Sequence, residues 1–88
     1  RCQAEIVRAL RQAGCSCTDT HEIGRGYPDL AVGRVDAAGV PRTYLLEVKS
    51  PGGQLTPDEV SWQAFWRGHV AIVDSIESAL AAVGCQVD

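Results

Sequence analysis

The segment of residues 42–59 constrains the fold of this chain more than any other. Residues 42–49 (RTYLLEVK) are rich in branched and aromatic side chains, which predicts a strand. Residues 50–54 (SPGGQ) form a glycine-rich loop. Thr56 then has the properties of a helix N-cap, with a proline at the first helical position and Glu59 three residues after the cap. A strand, a loop and a helix therefore follow one another in a fixed order.

Hydrophobic spacing predicts the remaining elements around this segment. Residues 2–13 carry apolar side chains at helical spacing, and residues 15–23 and 29–35 alternate as strands do. Downstream, residues 69–73 form a short apolar strand, and a last helix follows a cap at Ser75. Because the first three strands form a meander and the second helix crosses to a final strand, we predict an α/β sandwich with a mixed sheet, in the order α-β-β-β-α-β-α.

The chain length predicts one domain with a thin core. A domain of 88 residues buries only about 60–65% of the surface of its unfolded chain, so we expect dimerisation to bury more. The hydrophobic fraction of 45% and the charged fraction of 22% are those of a soluble globular domain. The sequence shows no apolar run of about 20 residues and no signal-peptide pattern, so we expect a cytoplasmic protein.

Charge and cysteine content argue against a simple nucleic-acid-binding domain and against a zinc-binding domain. The net charge is −3, whereas simple nucleic-acid-binding domains usually carry a basic face. The acidic balance is compatible with a metal-dependent nuclease, in which carboxylates surround divalent cations. The four cysteines match no zinc spacing. Cys15, Cys17 and His21 are an alternative ligand set, but reduced thiols in the core are the preferred interpretation.

Three charged residues are the candidates for catalysis: Asp29, Glu47 and Lys49. Because side chains alternate along a strand, Glu47 and Lys49 point to the same face. In a hairpin the start of one strand lies beside the end of the next, which places Asp29 near Glu47. Two carboxylates and an ammonium make a hard oxygen site suited to Mg²⁺ or Mn²⁺, and such a site supports phosphodiester hydrolysis. A solvent-facing ion pair, with Asp29 starting a strand, is the alternative.

Glycine-rich loops on both sides of these residues favour the catalytic interpretation. The GRGYP segment brings backbone close to the site and offers Gly26 and Tyr27 as candidate substrate contacts. The SPGG segment lets a phosphate approach main-chain N–H groups and offers Ser50 and Gly52. Ordinary surface turns would explain either loop as well.

These motifs together resemble a known family. Gly-Tyr-Pro-Asp-Leu (26–30), Leu-Glu-Val-Lys-Ser (46–50) and Leu-Thr-Pro (55–57) are similar to the VRR-NUC family, the virus-type replication–repair nucleases of the PD-(D/E)XK superfamily. The resemblance covers nearly the whole chain and implies a single nuclease domain over residues 1–88. It implies a restriction-endonuclease-like fold and dependence on Mg²⁺ or Mn²⁺.

The resemblance also implies roles for particular residues. Asp29 and Glu47 match the metal ligands of the family, with the backbone carbonyl of Val48 as a third, and Lys49 matches its catalytic lysine. Such families often place an acidic residue on the first helix, where it holds metal through water. Glu5 is the match, and an exposed helix residue is the alternative.

The predicted second helix holds the remaining candidates. The family usually has Gln early in this helix, and Glu59 occupies that place here. The nearest candidates for a glutamine contact to substrate or metal are Gln63 and Gln54. Aromatic side chains on this helix suit base stacking, but their spacing favours a place in the core or at a dimer interface (Trp62, Phe65, Trp66).

These observations predict a metal-dependent endonuclease acting on DNA. Small stand-alone domains of the resembled family, often from phage, imply a structure-selective enzyme of DNA repair, such as a Holliday-junction resolvase. A homodimer would present two active sites to the two symmetric strands of a junction. A non-catalytic nucleic-acid-binding module with a nuclease-like fold is the first alternative, and a restriction-type or RNA-directed nuclease is the second.

Overall fold

A computed structural model describes residues 3–85. Its elements in chain order are α1 (Gln3–Gln12), β1 (Ser16–Asp19), a 3₁₀ turn (His21–Ile23), β2 (Leu30–Val35), β3 (Pro41–Val48), α2 (Pro57–Phe65), β4 (Ala71–Val73) and α3 (Ile76–Ala82). The predicted order of helices and strands is confirmed. Residue 2, where the sequence places the first helix start and one cysteine, lies outside the described residues. None of the helices within residues 3–85 has the length and apolarity that crossing a membrane requires.

The first strand is shorter than the sequence pattern predicts. We predicted a strand over residues 15–23, but the chain leaves the sheet after Asp19. The Asp19 side chain accepts a hydrogen bond from the backbone N–H of His21 at 2.9 Å, and Thr20 Oγ1 donates to the carbonyl of Pro28 at 2.7 Å. The bond at Asp19 is local, and it competes with the strand ladder and turns the chain. His21 therefore lies in an exposed turn and not in a strand.

The sheet is mixed, as predicted. Its strand order is β1-β2-β3-β4, with antiparallel pairing up to β3 and parallel pairing between β3 and β4. Leu46 in the middle of the sheet pairs with Leu30 on one side and with Ala71 on the other. Helix α2 makes the connection that a parallel pair of strands requires.

The hydrophobic core lies on one face of this sheet. Helices α1 and α3 pack against each other and cover that face. The buried side chains alternate along the strands and recur at helical spacing along α1 (Ile6, Leu10, Leu30, Val32, Leu46, Val73). The opposite face carries Leu45, Glu47 and Lys49, because these residues have the other parity along β3 and its extension.

Helix α2 lies outside this core. It contributes no fully buried residue, and Phe65 is 75% exposed. Phe65 therefore lies outside the core, and a place at a dimer interface, which its spacing also favours, stays a prediction. Trp62 and Trp66 stack on each other, with ring centroids 4.7 Å apart. Glu59 near the start of the helix contacts Lys49 on the face that carries Glu47.

Candidate active site

The structure brings together the three residues that the sequence singled out. Asp29 precedes β2, and its backbone N–H donates to the carbonyl of Leu46 at 3.0 Å. Its carboxylate oxygen Oδ2 accepts a hydrogen bond from the backbone N–H of Val48 at 2.8 Å. Glu47 and Lys49 flank Val48 on the face opposite the core. Asp29 is thus fixed beside Glu47, as the hairpin topology predicted.

Glu47 is a carboxylate buried in the protein. The residue is 1% exposed, and its Oε1 atom has no hydrogen-bond partner within the described part of the chain. Burial, together with the neighbouring carboxylates of Asp29 and Glu59, raises the pKa of Glu47 to about 9. A buried acceptor without a donor costs free energy, so a positive ligand at this atom would stabilise the protein.

The Lys49 ammonium lies between two carboxylates. Its Nζ atom is 2.6 Å from Glu59 Oε1 and 3.7 Å from Glu47 Oε2. The hydrogen bond to Glu59 is the main cause that raises the pKa of Lys49. Partial burial opposes ionisation of Glu59, but the bond from Lys49 lowers the pKa of Glu59 overall. The closer contact of Lys49 is therefore its ion pair with Glu59. At 3.7 Å from Glu47, the same ammonium does not offset the effect of burial on the pKa of Glu47.

Two contacts attach α2 to the loop that precedes Asp29. Gly26 has a φ of +85°, and a Cβ at this position would overlap the backbone carbonyl of Asp58. Tyr27 packs edge-to-face on Trp62, with ring centroids 5.3 Å apart. A side chain at residue 26 would push the helix away. The close approach that glycine permits here is therefore to α2, which explains Gly26 without a substrate.

The donor set fits a divalent cation. The Asp29 carboxylate accepts a hydrogen bond from the Val48 N–H, beside the side chain of Glu47. The Oε1 atom of Glu47 is buried without a partner in the described region. Within residues 3–85, no three His, Cys, Asp or Glu side chains are grouped so that they alone could hold a metal. A cation held here would need further oxygens, which suits Mg²⁺ and Mn²⁺ because they retain water or bind phosphate.

The alternative zinc set is not assembled. Cys15 is buried in the core, where burial and the neighbouring Cys85 raise the pKa of its thiol to about 11. His21 is exposed in the 3₁₀ turn. Within residues 3–85 these side chains do not form a group that could hold a metal ion. The interpretation of these cysteines as reduced thiols agrees with this geometry.

The other predicted site residues lie in three parts of the chain. Ser50, Gly52 and Gln54 are exposed in the loop after β3. Gln63 lies one turn after Glu59 on α2, and its Nε2 atom is buried without a partner in the described region. Glu5 is half-buried in the first turn of α1. Their roles in binding stay predictions.

Sequence reasoning missed one contact at this site. Glu59 was identified as a helix-capping residue and as a departure from the family, but not as the partner of Lys49. The structure confirms the capping box: Thr56 Oγ1 accepts from the Glu59 N–H, and Glu59 Oε1 accepts from the Thr56 N–H. The cap was the available signal, since it fixes where the Glu59 carboxylate lies relative to the helix start.

Comparison with solved structures supports this fold. A structure described as "VRR_NUC domain" matches the chain with a TM-score of 0.67 and 22% sequence identity, over 92% of this chain and 88% of that one. The chain therefore has the fold of that domain, as the sequence resemblance implied. Neither a family model nor a curated protein matches the chain. At this identity the match establishes the fold, and the activity depends on the residues at the site.

Proposed function

We propose that this chain is a Mg²⁺- or Mn²⁺-dependent endonuclease that hydrolyses phosphodiester bonds in DNA. The observation that carries the proposal is the buried Glu47 carboxylate, which has an unpaired oxygen beside Asp29 and Lys49. Glu47 is buried beside the carboxylates of Asp29 and Glu59, and a bound cation would offset the repulsion among these groups. The likeness of the fold to a solved structure described as "VRR_NUC domain" supports a nuclease-fold assignment.

The residues of the site would have two roles, metal binding and stabilisation of charge on the phosphate. Asp29, Glu47 and the backbone carbonyl of Val48 would hold the metal, with Glu5 acting through water. The bound ion would supply positive charge to the phosphate and would acidify the attacking water. Lys49 would hold its ammonium near the scissile phosphate and stabilise the negative charge that develops on the phosphate oxygens.

Contacts to the substrate would come from the loops and from α2. Ser50 and Gly52 lie after β3, close in sequence to Lys49, and their exposed turn could accept a phosphate. Tyr27 is half-buried against Trp62, so only part of its ring remains for a nucleotide. Gln63 has a buried amide donor without a partner, which a substrate oxygen or a water would satisfy. Gln54 is the remaining candidate.

We further propose a homodimer that acts on branched DNA. The exposed side of α2 and the neighbouring strand β4 carry large apolar side chains, with Val60 53%, Phe65 75% and Ile72 52% exposed. A second copy that covers this surface would compensate for the thin core of one chain. Sedimentation of the wild type and of Phe65→Ser tests this, and a monomeric wild type at micromolar concentration would contradict it. Phage origin and cytoplasmic location stay predictions.

Cleavage assays test the central proposal. Labelled four-way junction and matched linear duplex are incubated with wild type in Mg²⁺, Mn²⁺ or EDTA. We expect metal-dependent cutting, preferentially of the junction. Lys49→Met, which keeps the length of the side chain but removes its charge, should bind DNA and lose cutting. Arg42→Ala removes a cation from the other end of β3 and serves as the control that keeps activity. Wild type that binds DNA but cuts nothing with any metal would favour the binding-module alternative.

A further inference from the structure

One oxygen of Glu59 joins the start of α2 to Lys49. Oε1 accepts a hydrogen bond from the Thr56 backbone N–H at 2.9 Å and lies 2.6 Å from Lys49 Nζ. The first contact belongs to the capping box and would exist in any helix that starts this way. The second crosses from the helix to the sheet. The two contacts together fix the position of the carboxylate from both sides.

The Lys49 side chain needs such a partner. It has four rotatable side-chain bonds, and an ammonium that is free to move over them loses entropy whenever it is fixed in one place. The side chain is only 17% exposed here, and Glu59 makes the shorter of its two ion pairs. Glu47 alone, at 3.7 Å, contacts the ammonium at the limit of an ion pair. The direction of the lysine is therefore determined mainly from α2.

The position of α2 is itself determined by the loop before Asp29. Gly26 allows close contact with the Asp58 carbonyl, and Tyr27 packs on Trp62. Because Asp58 directly precedes Glu59, these contacts set the distance between Glu59 and the sheet. The same loop thus places Asp29 at the start of β2 and places the carboxylate that holds Lys49.

We propose that Glu59 is a positioning residue, which acts through Lys49 by holding its ammonium beside Glu47. This proposal rests on the nuclease function proposed above. The shortest contact of Glu59 at the site is the one to Lys49, so its removal should lower the rate of the cleavage step and leave DNA affinity nearly unchanged. A displacement of a catalytic group by about 1 Å can cost on the order of 100-fold in rate.

Three variants separate positioning from helix capping. Glu59→Ala removes both the cap acceptor and the partner of Lys49. Thr56→Ala removes the side chain that caps the Glu59 N–H but leaves the Lys49–Glu59 contact, so it is the matched control for loss of the cap. Glu59→Gln keeps an oxygen that can accept from both Thr56 and Lys49. Each is measured for single-turnover cleavage of the junction, for its Kd for DNA in EDTA, for its Kd for Mn²⁺ and for its Tm.

We expect Glu59→Ala to lower the single-turnover rate by about 10- to 100-fold, with the DNA Kd within about threefold of wild type. Thr56→Ala should lower Tm but keep the wild-type rate at a temperature where it is folded. Glu59→Gln should restore most of the rate that Glu59→Ala loses. Equal rates in Glu59→Ala and Thr56→Ala would overturn the proposal. So would a loss in Glu59→Ala that appears mainly in the Kd for Mn²⁺, since Glu59 would then be a metal ligand.

A second measurement does not depend on cleavage. Lys49 is the only lysine of the sequence, so selective ¹⁵N-lysine labelling gives a single side-chain ammonium signal. We expect this signal to be observable in wild type and Thr56→Ala, because an ion-paired ammonium exchanges slowly with water, and to broaden in Glu59→Ala. An unchanged signal in Glu59→Ala would refute the positioning role. If wild type cuts no DNA, the nuclease function fails while this spectrum still decides whether Glu59 holds Lys49.

Discussion

Replacing Glu47 with Gln should stabilise the metal-free protein near neutral pH and remove its response to divalent metal. Glu47 is 1% exposed, and burial with the nearby carboxylates of Asp29 and Glu59 raises its pKa from 4.5 to about 9. A carboxyl with a raised folded-state pKa contributes stability that is complete below pH 4.5 and is lost as pH rises through about 9. The amide in Glu47→Gln does not titrate and avoids this loss.

The size of the effect follows from the pH window. For each pH unit between the two pKa values, the free energy of unfolding of the wild type can fall by at most about 1.4 kcal/mol relative to that of the variant. Between pH 5 and pH 7 the limit is therefore about 3 kcal/mol. We therefore expect the variant to gain on the order of 2 kcal/mol over the wild type between pH 5 and pH 7. For a domain of this size the corresponding gain in Tm at pH 7 is about 5–15 °C.

Thermal and urea unfolding of wild type and Glu47→Gln from pH 5 to pH 8 in EDTA measure this difference. Glu77→Gln, which removes an exposed carboxylate from the first turn of α3, is the control and should show no comparable trend. Addition of Mn²⁺ should then raise the Tm of wild type but not that of Glu47→Gln. A difference in unfolding free energy that stays constant with pH would refute the raised pKa. Equal stabilisation of both proteins by Mn²⁺ would refute Glu47 as a ligand.

Three further changes test the loop, the DNA contacts and the hairpin. Gly26→Ala should lower the free energy of unfolding by more than about 1 kcal/mol in urea denaturation, because φ is +85° and the new Cβ would meet the Asp58 carbonyl. Arg25→Ala, in an exposed position beside the site, should weaken DNA binding and reduce the slope of log K against log salt by about one, as measured by fluorescence anisotropy. Asp36→Asn should lower Tm at pH 7. The hydrogen bond from Arg42 lowers the pKa of Asp36, so the ionised carboxylate stabilises the folded protein at pH values above the ordinary pKa of an aspartate. The difference in Tm between wild type and variant should therefore close as pH falls below about 4.

The fold was predictable where local signals agree with long-range packing. The capping boxes at Thr56 and Ser75 mark the starts of α2 and α3, and both are present in the structure. The alternation along residues 42–49 gave the correct face for each side chain of β3. The prediction failed for the end of β1, because the hydrogen bond that the Asp19 carboxylate accepts from the His21 N–H turns the chain at a point that alternation alone does not mark.

The candidate site was predictable only in part, for a similar reason. Strand parity places Glu47 and Lys49 on one face, and hairpin pairing places Asp29 beside them, so these three residues follow from rules with a short range. The pairing of Lys49 with Glu59 depends on how α2 lies over the sheet. That position is set by close contacts between residues 26 and 58, which are far apart in sequence and have no periodic pattern.

The contacts that stabilise the fold and the contacts that position the site lie on opposite faces of the sheet. The core lies between the sheet and helices α1 and α3, whereas Lys49 is held on the other face by a helix that contributes no fully buried residue. The aromatic contact between Tyr27 and Trp62 and the close approach at Gly26 hold that helix. Loss of these contacts would release Glu59 from the sheet and leave the core packing intact. Activity should therefore be more sensitive than global stability to changes in α2, and the reverse should hold for the core residue Leu46.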